Sequence, residues 1–379
     1  MRKHFVAATV LALGLLAVAG SAGAADVSGL DAMEFVAGMS AGWNLGNAFD
    51  ASDCTWLSNE LSYESAWCGA RTSEALLDAV YDAGFNLIRI PVSWHNHMDA
   101  DFTISSAWLE RVTEVVDYCY QKGMYVIINA HHDVAEDYFY PDEAHLENTL
   151  AFTRAVWSQL AENFAPYGER LIFECINEPR LVGHANEWWF PAENADVLAS
   201  YDALMEANQV FVDTVRAAGG NNADRFLMVC GYCDMPEATV SSNFSLPEDS
   251  TPERLIVTAH AYSPYDFAGN VAGGAAFGDA ERASNEAIFR ELSETFLENG
   301  FPVILGEYGA IDKCSDADRV AYYRCMAELG AEYGIKLAVW DNNYFNETDA
   351  PVESTFGLFD RATGAIREPE IIEAIMSVF

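Results

Sequence analysis

Short apolar, β-branched runs alternate with longer amphipathic stretches along almost the whole chain. The strand-like runs fall at 40–45, 86–91, 125–130, 171–175, 225–230, 255–259, 302–305 and 336–339, eight in all. Each is nearly all apolar in the middle, as expected of parallel strands covered on both faces. Between them, residues 73–83 place Leu76, Leu77 and Val80 on one helical face, and residues 109–122 align Val112, Val116, Cys119 and Tyr120 ahead of the stop at Gly123. Further helices are predicted over 150–164, 197–217, 286–298, 318–332 and 369–378. In the fifth crossover, Pro236, Pro247 and Pro252 limit any helix to a short one. Eight β-then-α units predict a single-domain (β/α)8 TIM barrel of the α/β class. An open doubly wound sheet is the alternative, but the G-x-G-x-x-G that announces its nucleotide site is absent after the first strand.

The first 25 residues stand outside this rhythm. Arg2 and Lys3 precede an apolar run from Phe5 to Ala19, and Ala22-Gly23-Ala24 supplies a small-residue cleavage pattern. Residues 1–25 therefore read as a signal peptide and 26–379 as the barrel, secreted to the extracellular space or periplasm with no membrane attachment after cleavage. The net charge of −38 repels phosphate backbones, so nucleic acid is excluded as a partner, whereas a neutral polymer meets no such penalty. Acidity also serves plain solubility. A monomer is expected.

Eight cysteines in an exported chain favour some disulfides, with 105 pairings available to a full set. Cys54 with Cys68, and Cys314 with Cys325, each bracket a loop-like segment, whereas Cys119 and Cys175 sit in apolar surroundings as ordinary thiols. Cys230-Gly-Tyr-Cys233 has the spacing of redox and zinc sites, but no second pair accompanies it, and such chemistry is not expected there.

In such a barrel the chemistry gathers at the carboxyl ends of the strands. Read there, the chain presents Trp43, Arg89 with Trp94, His131-His132, Asn177-Glu178, His260 with Tyr262, Glu307, and Trp340. Two glutamates at strand ends, with no serine-nucleophile motif, suit glycosidic bond cleavage: one acid protonates the leaving oxygen while a carboxylate attacks the anomeric carbon. Asn177 could bond the sugar 2-hydroxyl. Arg89 and Tyr262 could hold Glu307 ionised. His131 and His260 could tune the acid and bind hydroxyls. Trp340, Trp43 and Trp94 offer flat faces for sugar rings, and one of Trp188 and Trp189 could do so from the insertion at 181–195, whereas Trp56, Trp67, Trp108 and Trp157 read as packing.

The segments GWNLGN, LIRIPVSW, INAHHD, INEP, HAY, LGEYG and VWDNN, in this order from about Trp43 to Asn343, resemble glycoside hydrolase family 5, the cellulase family of clan A. The resemblance implies Glu178 as acid/base, Glu307 as nucleophile, and Arg89, His131, Asn177, His260, Tyr262 and Trp340 around the cleaved bond. It implies a retaining endo-β-1,4-glucanase acting on a β-glucan or related plant cell-wall polysaccharide. Its opening segment resembles the branch rich in endoglucanases, some of which accept xyloglucan or xylan. A xyloglucanase, mannanase or xylanase on the same scaffold, or a non-catalytic carbohydrate-binding barrel, are the rival readings.

The bland readings are that Glu178 caps a turn and that Arg89 is a core ion-pair partner. No cofactor and no catalytic metal are expected, because adjacent histidines on an extended segment point to opposite sides and His131 and His132 would not share a face. With this many carboxylates, a structural calcium bound by acidic loops stays open. If the mechanism retains configuration, the two carboxyl groups should lie about 5 Å apart, rather than about 9 Å as for inversion.

Overall fold

In the computed structural model, which describes residues 29–191, 193–346 and 351–379, the predicted runs become strands β1 (Gly42–Asn44), β2 (Leu87–Ile90), β3 (Tyr125–Asn129), β4 (Leu171–Glu174), β5 (Leu227–Cys230), β6 (Leu255–Ala261), β7 (Val303–Tyr308) and β8 (Lys336–Val339). All neighbours pair in parallel, and β1 closes on β8. The proposed signal peptide lies outside the described residues. No helix among those described is long and apolar enough to cross a membrane.

The helices are α1 (Ala32–Ala37), α2 (Glu74–Asp82), α3 (Ser106–Gln121), α4 (Leu146–Asn163), α5 (Ala195–Ala217), α6 (Pro236–Thr239), α7 (Tyr265–Ala268), α8 (Asp279–Thr295), α9 (Asp316–Tyr333) and α10 (Pro369–Met376). The proline-rich fifth crossover holds only the four-residue α6. The sequence reading omits α1, although Asp31 and Glu34 form a capping box at its start. This helix plugs the amino-terminal end of the barrel. Phe35 stacks on Phe226, with ring centroids 3.9 Å apart, over a layer of Leu87, Ile127, Ile172, Met228, Ile256 and Ile304. Burying Phe35 alone contributes about 1.5–3 kcal/mol.

Strand alternation explains where polarity begins. Two residues beyond three of the plug-layer side chains, the next inward position is Arg89 after Leu87, Asn129 after Ile127, and Glu174 after Ile172, all buried. The odd-facing residues Ile88, Val126, Ile128 and Phe173 belong instead to the core shared with the helices. The barrel is thus oil at its base and ionic one layer higher. At Gly42 the strands approach so closely that a Cβ would lie 2.9 Å from Ala338, Leu337 and Leu87.

The expected disulfides are absent: all eight cysteines are free thiols. Cys54 Sγ faces the Ser52 carbonyl at 3.4 Å and Cys68 Sγ the Ala70 carbonyl at 3.1 Å, so each sulfur is engaged with its own loop rather than with the other. Trp108 and Trp157 are buried as expected, but Trp56 is 70% exposed.

Candidate active site

Arg89 organises the centre of the polar layer. Fully buried, it donates from Nε and Nη2 to the two oxygens of Glu174 at 2.6 and 3.1 Å, and from Nη1 to Glu307 Oε1 at 2.7 Å. It also donates to Asn44 Oδ1 at 3.0 Å and Asn177 Oδ1 at 2.8 Å. Burial works against the charge, but Glu174 and Glu307 outweigh it and hold the guanidinium protonated. The bidentate pair with Glu174 fixes the plane of the fork, so the arm reaching Glu307 has one direction.

Glu307 receives a second donor on its other oxygen, Tyr262 Oη at 2.7 Å. It sits where the register shifts between β7 and both of its neighbours, at Ala259/His260 and Leu305/Tyr308. Such irregularities re-aim a strand-end side chain. Gly306 is needed beside it, since a Cβ there would lie 2.9 Å from Thr258 Oγ1. His131 Nε2 stands 4.0 Å from Glu307 Oε1. Asn129 Oδ1 accepts from the Val92 N–H at 3.1 Å, leaving its amide nitrogen to donate to His131 Nδ1 at 3.1 Å. The proton of the neutral ring therefore lies on Nε2. Burial, with His132 and Arg89 nearby, keeps His131 neutral, well below the usual imidazole range.

Glu178 belongs to the loop after β4 and has a left-handed backbone, φ 46°. Its Oε1 meets His260 Nδ1 at 3.0 Å, and Arg180 Nη1 stands 3.9 Å from Oε2. Burial pushes its pKa up, but the His260 hydrogen bond and charge and Arg180 prevail, bringing it down to about 2. Conversely His260 is lowered by burial yet raised to about 9 by Glu307, Asp234 and Glu178. The two shifts run in opposite directions, each partner favouring the charged form of the other. Single ligand atoms of Glu178, His260 and Glu307 lie within 4.8 Å of one another, so the structure brings the two glutamates face to face across the barrel mouth.

Other candidates fare unequally. Asn177 joins the cluster, its Oδ1 taken by Arg89. Trp340 is half-buried, its ring parallel to that of His131 at 5.9 Å, and a Cβ on Gly46 would strike it at 2.7 Å. Trp43 and Trp94, expected as sugar platforms, are fully buried. Trp43 Nε1 donates inward to Asp341 and Arg361 covers its face at 4.4 Å, while Trp94 Nε1 donates to the Asn129 carbonyl. They are packing residues, because an indole N–H that finds a partner inside turns the ring away from the cleft.

His131 and His132 do share a side, contrary to strand alternation. Both lie beyond the end of β3, their rings pack edge to face at 4.5 Å, and ligand atoms of both lie within 4.8 Å of one from Asp50. That trio and the Glu178, His260 and Glu307 trio are the two places among the described residues where a cation could be held. His132 is half-buried and brought down to about 4 by that burial. Asp50 is pushed up to about 7 by burial against backbone N–H donors.

Sequence reasoning misses Glu174, Asn44, Asn129 and Asp234. A charge inside the otherwise apolar Leu171-Ile-Phe-Glu174 is a signal that could have found the first. Trp188 and Trp189 are 52% and 69% exposed, and Trp188 lies under the Arg180 guanidinium at 4.0 Å.

A parallel eight-stranded barrel carrying two facing carboxylates at its carboxyl rim, one on a guanidinium and one on a histidine ring, defines a glycoside hydrolase. The chain belongs to glycosyl hydrolase family 5: the family model described as Cellulase matches residues 49–346. Endoglucanase 1 of Ruminococcus albus is 39% identical over 345 residues, covering 90% of this chain and 80% of the relative. Endoglucanase A of the same organism is 38% identical over 360 residues, covering 93% of both chains. Among solved structures, a family 5 lichenase from Caldicellulosiruptor sp. F32 in complex with cellotetraose superposes with a TM-score of 0.88 at 41% identity, over 92% of this chain and 95% of that one. A xyloglucan-specific endo-β-1,4-glucanase from a metagenomic library, with cellotriose, gives 0.83 at 32% identity, over 91% and 98%.

Proposed function

We propose that the protein is a retaining endo-β-1,4-glucanase that cleaves cellulose-like β-glucans, with Glu307 as nucleophile and Glu178 as acid/base. The observation that carries this reading is the close approach of the two carboxylates, whose facing oxygens lie within 4.8 Å. That gap suits direct attack on the anomeric carbon, whereas inversion needs roughly 6.5–9.5 Å to admit a water.

Glu307 attacks the anomeric carbon, and the bond to the leaving chain breaks as its oxygen takes the proton of Glu178. In this reading His260 Nδ1, 3.0 Å from Glu178 Oε1, holds that proton in the resting pair. Glu307 is the leading charge that holds it there. As Glu307 becomes a neutral ester its hold on the imidazolium disappears, so the proton passes to Glu178 when the leaving oxygen needs it. In the second half, Glu178, now ionised beside neutral His260, takes a proton from water. The water oxygen attacks the anomeric carbon and the ester bond breaks. Return of the proton to His260 restores the starting state. Arg89 and Tyr262 receive the charge on Glu307 at both ends of the cycle.

The substrate range follows the relatives, which are named as endoglucanases, a lichenase and a xyloglucan-specific enzyme. Residues 1–25 are read as a signal peptide and the rest as a secreted, monomeric catalytic domain. One experiment tests both roles and the stereochemistry. Glu178→Ala, given 2,4-dinitrophenyl β-cellobioside and azide, should recover turnover and release β-cellobiosyl azide, because azide replaces water on the face the acid/base serves. An α-azide would exchange the two roles, and failure of rescue would remove Glu178 from the mechanism.

A further inference from the structure

The turn after β5, Cys230-Gly231-Tyr232-Cys233-Asp234, does something other than the redox or metal chemistry that its spacing suggests. Both thiols are buried and unpaired, and burial pushes each well above the usual thiol range. What the turn has instead is shape. Cys233 and Asp234 are consecutive left-handed residues, φ 53° and 52°, and the residue they meet, Glu178, is left-handed too. Non-glycine residues in this region cost on the order of 1–3 kcal/mol each and persist only where surrounding structure holds them.

Three hydrogen bonds from the turn hold the Glu178 loop. Asp234 Oδ2 accepts the Glu178 backbone N–H at 2.6 Å, and the Cys233 N–H donates to the Pro179 carbonyl at 2.8 Å. Tyr232 Oη accepts from the Leu181 N–H at 3.2 Å, so three successive turn residues grip the loop that carries Glu178. Asp234 is fully buried, and its Oδ2 lies 3.8 Å from His260 Nε2, on the far side of the imidazole from Glu178.

We propose that Asp234 is the positioning residue of the acid/base: its carboxylate locks the Glu178 backbone in its left-handed turn and backs His260 from behind, so that side chain and imidazole meet in one geometry. This rests on the reading of Glu178 as acid/base. Asp234 touches neither substrate nor reacting atoms. It acts through two groups that do.

The charges around this assembly fix the sign of its pH dependence. His260 faces Glu178, Asp234, Glu307 and His131. Asp234 faces Glu178, Glu174, His260 and the thiols of Cys175 and Cys230. Burial pushes Asp234 up to about 7, so its charge is present on the basic side, where loss of the proton shared by Glu178 and His260 ends activity. Removing that charge makes the shared proton easier to lose.

The test uses the full chain, with Asp234→Ala and the isosteric Asp234→Asn, whose amide oxygen still accepts the Glu178 N–H. For Asp234→Ala, kcat/KM on soluble β-glucan should fall by about 10²-fold, the scale of a misplacement near 1 Å. On 2,4-dinitrophenyl β-cellobioside, whose leaving group needs no proton, the loss should be smaller by about tenfold or more. Asp234→Asn should lose less and should move the basic limb of the kcat/KM profile to lower pH. It also carries the test should Asp234→Ala fail to fold. Equal losses on both substrates, or a basic limb unmoved in Asp234→Asn, would overturn the proposal. If the Glu178→Ala variant is not rescued by azide, the parent reading has failed; if it is rescued and the Asp234 variants do not discriminate, only this inference has.

Discussion

Glu307 and Glu178 face each other across the barrel mouth but are held by different parts of the molecule. Glu307 grows from β7, and its partners Arg89 and Tyr262 come from β2 and the end of β6, with Arg89 in turn clamped by Glu174 of β4. Every one of these is anchored in the barrel wall. Glu178 hangs from a loop, gripped by a second loop through Asp234 and flanked by Arg180, which donates to its carbonyl at 2.9 Å and carries the exposed Trp188. The difference matches the two roles proposed for them. A nucleophile needs a fixed position, which buried strand residues give it. An acid that becomes a base must gain and lose a proton within one cycle, and Glu178 on its loop meets for this a single imidazole, His260, held in the wall on β6.

The largest effect tests the nucleophile side. Glu307→Gln keeps the size but replaces one accepting oxygen by an amide donor and removes the attacking charge. Its kcat on β-glucan should fall by about 10⁵-fold or more, the scale seen when a covalent nucleophile is removed. Binding of cello-oligosaccharide, followed by calorimetry, should persist. Appreciable residual turnover in purified variant would contradict the assignment.

The same side should also carry stability. Arg89→Met leaves Glu174 and Glu307 buried without their shared cation, and uncompensated buried charge costs about 3–5 kcal/mol. Denaturant unfolding should show that loss for Arg89→Met and a much smaller one for Glu178→Ala, whose carboxylate is only partly enclosed. Equal losses for the two would erase the contrast between wall and loop.

That contrast also explains what could be read in the chain. Arg89 stands two residues past Leu87 on β2, so alternation aims it inward, whereas Glu307 is legible only by its place at the end of β7 and is aimed by the register shifts there. Glu174 obeys the same alternation as Arg89 and was legible in principle, as a charge in an apolar strand. Asp234 was not, because its role depends on left-handed turn dihedrals that no periodicity encodes. His131 and His132 were misread for a related reason: alternation was extended past the end of β3, where the chain no longer follows it. For Trp43 and Trp94 the residue type was ambiguous, since an indole serves equally as platform or packing until its N–H finds a partner.

The smallest predicted effect tests the acid side at equilibrium. His260 has its pKa raised to about 9 in the folded protein, against about 6.5 when unfolded. A raised basic group contributes stability that is fully present below the unfolded value and fades as pH rises through the folded one. The thermal midpoint should therefore fall between pH 6.5 and about 9 in the native protein, and fall less in His260→Gln, where nothing titrates at that position. Glu178 gives the opposite slope in a separate window: lowered to about 2, it contributes above the usual carboxylate range near 4.3 and loses that contribution as the medium is acidified toward 2. A His260→Gln curve parallel to the native one across the alkaline window would mean that the resting pair holds its proton on Glu178, and that the loop arms the acid before substrate arrives rather than during attack.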